Sequence, residues 1–133
     1  MKSETWRASP VLGVRNVRQA AEYYRDILGF DLDPVDGVIQ PSPDEPNGVY
    51  AIVKRGGAWV HFQIRRGEFV ERKRQPLEHA VYIYVNDLDA VYADLQQRGA
   101  VIKQPPTVAP YGLREIEVED LNAFRLTFGE FVP

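Results

Sequence analysis

The chain repeats one short motif, and this repetition constrains its fold more than any other feature. Val14 to Val17 (Val-Arg-Asn-Val) leads into a helical pattern that ends at Gly29, and Val85 to Leu88 (Val-Asn-Asp-Leu) leads into another that ends at Gly99. The second motif follows the first by 71 residues, and the second glycine follows the first by 70. A unit of this size is too small to bury a core alone. We therefore expect two pseudo-symmetric units with a cleft between them.

Each unit carries the residues that start and stop a helix. Asn16 and Asp87 have side-chain oxygens that accept an amide hydrogen from a first helical turn, and Gly29 and Gly99 suit the left-handed conformation that ends a helix. Apolar residues recur at helical spacing between these points. They are Val17, Ala20, Ala21, Tyr24, Ile27 and Leu28 in the first unit, and Leu88, Val91, Tyr92 and Leu95 in the second.

Strands are predicted in the rest of each unit. Val49 to Ile64 contains two β-rich runs around Gly56-Gly57, a pair that favours a tight hairpin in which Val53 faces Val60. The proline-rich segments 41–48 and Lys103–Tyr111 are predicted to be loops. Further strands are predicted at 10–14, 30–40 (broken near Pro34 and Gly37), 79–85, Leu113–Glu119 and Phe124–Phe128, and residues 65–78 are predicted to connect the halves.

This pattern is β-α-β-β-β, stated twice, and it predicts an α+β fold. We expect one domain over residues 1–133, with a first module at about 8–66 and a second at about 78–130. Helices would pack on the apolar faces of the strands. The opposite faces would curve into a shared concavity.

Strand alternation places aromatic and polar side chains on that second face. Flat aromatic rings offer stacking surfaces to planar ligands, and carboxylates attract a cationic group. Single tyrosines on such a face can also cap an exposed sheet, and Glu115, close to a strand end, is typical of a solvated rim. The predicted ligand-binding residues are Tyr50, Ile52, Trp59, His61, Gln63, Tyr82, Tyr84, Glu115 and Glu117.

Composition excludes several function classes. The net charge of −3 gives no support for nucleic-acid binding through a basic face. The chain has no cysteine, which excludes disulfides, thiolate nucleophiles and cysteine metal sites. The first seven residues lack the apolar run of a signal peptide, and no apolar run is long enough to cross a membrane. We expect a cytoplasmic protein.

The motifs resemble the vicinal-oxygen-chelate superfamily, which includes glyoxalases, ring-cleaving dioxygenases and bleomycin-resistance proteins. Val14–Val17 with Ala21–Phe30 is similar to that family's opening strand and helix, and Val85–Tyr92 is similar to the second. Gly112–Glu115 followed by Val118–Ala123 resembles its closing hairpin, with an Asp-Leu-Asn-Ala turn in place of Asp-Pro-Asp-Gly. The resemblance implies two tandem βαβββ modules that form a curved mixed sheet with a concave cleft.

The resemblance also implies where a metal would bind. Family enzymes place histidine or glutamate ligands at four positions, which fall here on Ser9, Gln63, Ala80 and Thr127. Only Gln63 could serve, whereas a catalytic divalent metal needs three or more good donors. We therefore expect no metal and no cofactor. One alternative is that a β-bulge turns His79 inward, with His61 or Glu130 nearby; the simpler interpretation is that His79 is a surface residue at a strand start.

Resemblance to the bleomycin-resistance branch implies a homodimer with two clefts, each built from the first half of one chain and the second half of the other. Proteins of that branch sequester a drug without chemistry. We therefore predict metal-independent binding of a planar aromatic small molecule, such as an antibiotic. The alternative is a glyoxalase- or dioxygenase-like enzyme with a non-standard or absent metal site, in which His61 acts as general base with Glu117 as its acid partner.

Overall fold

The computed structural model describes residues 5–40, 42–66 and 79–133. The elements follow the predicted β-α-β-β-β order twice. They are β1 (Val11–Val14), α1 (Val17–Asp26), β2 (Asp31–Ile39), β3 (Tyr50–Arg55), β4 (Ala58–Ile64), β5 (Val81–Tyr84), α2 (Leu88–Gln97), β6 (Val101–Val108), β7 (Leu113–Glu119) and β8 (Arg125–Phe131). Residues 67–78 of the predicted connection, Pro41 of the first predicted loop and the first four residues of the chain lie outside the described ranges.

The strands form two four-stranded sheets with the same internal order. The first sheet runs β1-β4-β3-β2 and the second runs β5-β8-β7-β6. In each sheet one pair is parallel (β1 with β4, and β5 with β8), and the other pairs are antiparallel. Both sheets are therefore mixed and the modules repeat one topology, which confirms the α+β prediction.

The helices begin and end with the capping residues that the sequence predicts. Asn16 Oδ1 accepts the N–H of Gln19 at 2.9 Å, and Asp87 caps α2 in the same way at 3.1 Å. Gly29 and Gly99 have φ angles of +75° and +81°, the left-handed conformation expected at a helix stop. Neither helix of the described ranges is long and apolar enough to cross a membrane.

The β3–β4 hairpin also has the predicted register. Val53 lies opposite Val60, and both are fully buried under α1 with Ala51 and Phe62. Because cross-strand partners share a face, the alternate residues of both strands form the opposite, polar face of the first sheet. The register of β2 on β3 shifts between Asp33 and Val38, which is the predicted break.

The predicted loop at Lys103–Tyr111 is wrong over most of its length, because β6 extends to Val108. Its register on β7 shifts twice between Ile102 and Thr107, and Pro105 and Pro106 lie in the second irregularity. β6 is also an edge strand. A proline is tolerated at an edge or a bulge because its missing N–H interrupts no interior ladder.

The two modules pack through their helix sides. Tyr24 of α1 donates its hydroxyl to Asp120, in the turn between β7 and β8, at 2.6 Å. Arg55, at the end of β3, donates to the Leu28 carbonyl at 2.8 Å and to Asp94 of α2 at 3.1 Å. Buried apolar residues of both modules belong to one core cluster.

Candidate functional site

The polar face of the second sheet brings together residues from three strands. Thr127 of β8 lies opposite Tyr82 of β5 on one side and Glu117 of β7 on the other. One pair further along, Gly129 of β8 lies opposite Glu115 of β7. Directly opposed residues point to the same face of a sheet. The register alone therefore places one tyrosine and two glutamates on a common surface.

Glu115 is the centre of this surface. Tyr82 donates its hydroxyl to Glu115 Oε2 at 2.5 Å, and Tyr111 donates to the same oxygen at 2.7 Å. The glutamate is only 5% exposed. A buried carboxylate is costly unless hydrogen bonds replace its water, and the two phenols supply such bonds.

The same contacts keep both phenols protonated. Burial, followed by the hydrogen bond and the charge of Glu115, raises the pKa of Tyr82 well above its ordinary value. For Tyr111 the hydrogen bond to Glu115 is the main cause that raises the pKa, followed by burial. Each O–H therefore acts as a donor to the carboxylate.

Two further contacts border this centre. Arg125 Nη1 donates to Glu117 Oε1 at 3.3 Å, and Glu117 is 4% exposed. His79 hydrogen-bonds through Nδ1 to the hydroxyl of the fully buried Thr127, and its ring meets the Tyr82 ring edge-on at 5.8 Å. His79 is exposed, as the surface interpretation predicts, yet its imidazole reaches the polar face.

A cavity of about 320 Å³ opens on this face. Two carboxylates, one imidazole and one phenol lie there beside an apolar wall, and none of the described lining residues is a lysine or arginine. Its volume lies at the small end of the range for small-molecule pockets. The lining residues are His79, Gln104, Thr107, Val108, Ala109, Pro110, Tyr111, Glu115 and Glu117, all from the second module.

The polar face of the first sheet holds a separate group. The Tyr50 hydroxyl and His61 Nδ1 lie 2.5 Å apart, and Ile52 pairs with His61 across the hairpin. Gln63 is exposed on the same strand. These residues do not line the polar-face cavity.

A second cavity, of about 570 Å³, lies between the modules. Trp59 lines it together with Tyr82 and Tyr84. The Arg7 guanidinium lies 4.3 Å from the centre of the Trp59 ring, within the range of a cation–π contact. Tyr84 is 64% exposed and stacks on Phe131 with ring centres 5.5 Å apart.

The structure thus distributes the predicted ligand-binding residues among three places. Glu115 and Glu117 line the polar-face cavity with Tyr82 beside them, Trp59 and Tyr84 line the cavity between the modules, and the first-sheet group of Tyr50, Ile52, His61 and Gln63 stands apart. The expectation that Glu115 belongs to a solvated rim is wrong, because Tyr82 and Tyr111 shield it. Sequence reasoning offered an inward-facing His79 only as an alternative, and it missed Tyr111 and Gly129 as residues of this surface. A glycine inside a predicted strand is a recognised sign of close approach, and it could have indicated Gly129.

The residues at the implied metal positions do not fit a metal. The side chain of Ala80 has no donor atom, and the Thr127 hydroxyl is bonded to His79. Glu130 accepts the N–H of Leu88 at the start of α2, at 3.4 Å, so it faces the helix side and does not join His79. In residues 5–40, 42–66 and 79–133, no group of three or more His, Cys, Asp or Glu could hold an ion.

The general-base pairing of His61 with Glu117 is likewise absent from the described contacts. His61 is bonded to Tyr50 and Glu117 to Arg125. The two residues lie on different sheets.

Comparison with known proteins agrees with this architecture. The profile of the Glyoxalase/Bleomycin resistance protein/Dioxygenase superfamily matches residues 8–128. A glyoxalase-related enzyme from Clostridium phytofermentans is 17% identical with a TM-score of 0.74, over 98% of each chain. TioX from Micromonospora sp. ML1 is 21% identical with a TM-score of 0.66, over 95% of this chain and 100% of the other.

A third similar structure is a bleomycin-binding protein from bleomycin-producing Streptomyces verticillus, solved in complex with copper(II)-bleomycin. It is 20% identical with a TM-score of 0.67, over 98% of this chain and 100% of the other. Likeness at these identities establishes the shared fold. No match was found among curated protein sequences.

Proposed function

Since the chain belongs to the Glyoxalase/Bleomycin resistance protein/Dioxygenase superfamily, we propose that it is a metal-independent binding protein that sequesters a planar aromatic small molecule, such as an antibiotic. The observation that carries this proposal is the polar-face cavity of the second module. Its acidic groups are buried but border open space, and an aromatic ring stands beside them. A concave surface that combines apolar walls with a few placed polar groups is typical of a small-molecule pocket.

The chemistry of the cavity favours a ligand with a planar ring and a cationic or N–H-bearing group. The ring of Tyr111, which lines the cavity, provides a face for stacking, and stacking contributes about 0.5–1.5 kcal/mol per aromatic pair beyond area burial. Glu115 and Glu117 supply carboxylate oxygens for the polar group. The bleomycin-binding relative, which shares the fold, supports small-molecule binding as the general role.

We further propose that two copies of the chain form each complete site. Every described residue that lines the polar-face cavity belongs to the second module, while Tyr50, His61 and Gln63 occupy the polar face of the first sheet and do not line this cavity. The first module of a partner copy would cover the cavity and add these residues to it. This arrangement would produce two clefts in a homodimer.

Titration with proflavine, a planar aromatic cation, tests the proposal through its own fluorescence and through tryptophan quenching. Anthracene-9-carboxylate is the matched planar anion. We expect proflavine to bind and the anion to bind at least about tenfold more weakly, because two carboxylates are among the described lining residues of the cavity. Bleomycin and daunorubicin extend the panel to antibiotics.

The variant Glu115→Gln tests the site itself. Hydrogen bonds to a charged group contribute about 1.5–3 kcal/mol, so we expect roughly tenfold weaker proflavine binding. Glu119→Gln is the control, because Glu119 lies on the same strand, is paired with Lys103 at 3.2 Å and does not line the cavity. Equal affinity in both variants would remove Glu115 from the site. A change in ligand mass after long incubation would contradict sequestration.

A further inference from the structure

Gly129 lies directly beneath the side chain of Tyr82. A Cβ atom built on Gly129 would come within 2.8 Å and 2.9 Å of the Tyr82 ring carbons Cζ and Cε1, and closer still to the hydroxyl oxygen. Real Cβ atoms essentially never approach this closely. Gly129 is not among the glycines with positive φ. Its backbone would thus accept other residues, and the position of Tyr82 is what requires a glycine.

The gap explains how Tyr82 contacts a strand that is not its neighbour. Tyr82 is on β5 and Glu115 is on β7, and β8 lies between them. The two outer strands are separated by two strand spacings, roughly 10 Å. Glu115 pairs with Gly129 across the β7–β8 ladder, so the missing side chain lies on the line between the phenol and the carboxylate. Any larger residue at position 129 would block the 2.5 Å hydrogen bond.

We propose that Gly129 is a positioning residue of the ligand site, because it leaves the space through which the Tyr82 hydroxyl reaches Glu115. A phenol has one O–H to donate, and both Tyr82 and Tyr111 donate theirs to Glu115 Oε2. The surface then offers acceptors: the second oxygen of Glu115 and the carboxylate of Glu117. The choice of a donor-bearing ligand rests on the proposed function, whereas the positioning of Tyr82 does not.

The test is the titration of Tyr82, followed by NMR of protein labelled with ¹³C at tyrosine Cζ. Tyr82→Phe identifies its resonance among the seven tyrosines. The ionisable groups that face Tyr82 are Glu115 on β7, Tyr111 before β7, Tyr84 on β5 and His79 before β5. We expect Gly129→Ala to move the Tyr82 resonance at neutral pH and to lower the pH at which Tyr82 ionises, because the displaced phenol loses part of its burial and its bond to the carboxylate.

Gly57→Ala is the matched control, since a Cβ there meets nothing within 4 Å and its φ is not positive. It should leave the Tyr82 resonance unchanged. If Gly129→Ala also leaves the shift and titration of Tyr82 unchanged, Gly129 does not position the phenol. If Gly129→Ala does not fold, the double variant Tyr82→Ala/Gly129→Ala provides the test. A double variant as stable as Tyr82→Ala alone supports the proposal, because the clash is with the Tyr82 side chain. A double variant that also fails to fold overturns it.

Proflavine binding by the same variants separates this inference from the proposed function. We expect Gly129→Ala to bind proflavine about tenfold more weakly, because the released Tyr82 hydroxyl disturbs the acceptor surface. Wild-type protein that binds no probe would contradict the proposed function while leaving the NMR result valid. A shifted Tyr82 titration with unchanged proflavine affinity would overturn only the role of Gly129 in the ligand site.

Discussion

The Tyr24 hydroxyl makes one of the contacts between the two modules, and its environment makes the stability of the protein depend on pH. Tyr24 is fully buried and donates to Asp120 at 2.6 Å. Burial, followed by the charge of Asp120 and the hydrogen bond to it, raises the pKa of Tyr24 well above its ordinary value. The unfolded chain releases this proton at about pH 10, whereas the folded chain retains it. The free energy of unfolding should therefore fall as pH rises above about 10.

Tyr24→Phe should lower the free energy of unfolding at pH 8 by about 1–3 kcal/mol, since the hydrogen bond is buried. The variant should also show a shallower decline between pH 9 and 11, because the proton that links stability to pH is gone. Urea unfolding at several pH values measures both effects. Tyr92→Phe is the control, because the Tyr92 hydroxyl has no hydrogen-bond partner in the part of the chain that the structure describes. A decline as steep in Tyr24→Phe as in the wild type would contradict this origin of the pH dependence.

Individual site residues were predictable only where strand alternation decides the face. Alternation placed Tyr82, Glu115 and Glu117 on the polar side, and the register of β5, β7 and β8 agrees. It could not show that Glu115 is buried, since that burial depends on Tyr82 crossing a neighbouring strand and on Tyr111 reaching back from the loop before β7. Contacts between strands that are not neighbours in the sheet produce no periodic pattern in the sequence, so they cannot be predicted from it.

The two glycines of the β3–β4 turn are adjacent in the sequence, but the turn gives them different backbone conformations. Gly56 has a φ of +57°, whereas Gly57 does not have a positive φ, and a Cβ at either position meets nothing within 4 Å. Gly56→Ala should lower the free energy of unfolding by about 1–2 kcal/mol, the cost of a left-handed residue with a Cβ. Gly57→Ala should be neutral or stabilising by up to about 1 kcal/mol, because alanine restricts the unfolded chain. Denaturant unfolding of the two variants measures both free energies of unfolding. Equal changes in the two variants would show that backbone conformation is not the cause.

Elements with strong local signals were predictable, and the element without them was not. Both helices have an oxygen-bearing cap, an apolar stripe and a glycine stop, and the hairpin has its glycine pair. β6 has two consecutive prolines where a strand is unexpected. It forms because β7 offers a free edge and the register shifts around those prolines. Such an interaction is tertiary, so local propensity gives the wrong answer.

At the scale of the whole molecule, the residues of the predicted cleft are divided between two separate sheets, which a mixed-dimer experiment can exploit. In the proposed homodimer each cleft combines the first module of one copy with the second module of the other. His61→Ala would impair the first-module half of a cleft, and Glu115→Gln would impair the second-module half. Each variant homodimer should bind proflavine roughly tenfold more weakly than the wild type. A mixed dimer of the two variants would unite both defects in one cleft and leave the other cleft with neither.

The mixed dimer, purified through two different affinity tags, should therefore recover one site of wild-type affinity, measured by calorimetry as about half the wild-type stoichiometry. If each site were instead built within one chain, the mixed dimer would contain one site of each defective type and would recover nothing. Sedimentation of the wild type as a monomer at the concentrations used would also contradict the shared cleft. The contrast is sharp because the polar-face cavity of the described chain has no lining residue from the first module, so recovery requires the partner's first sheet.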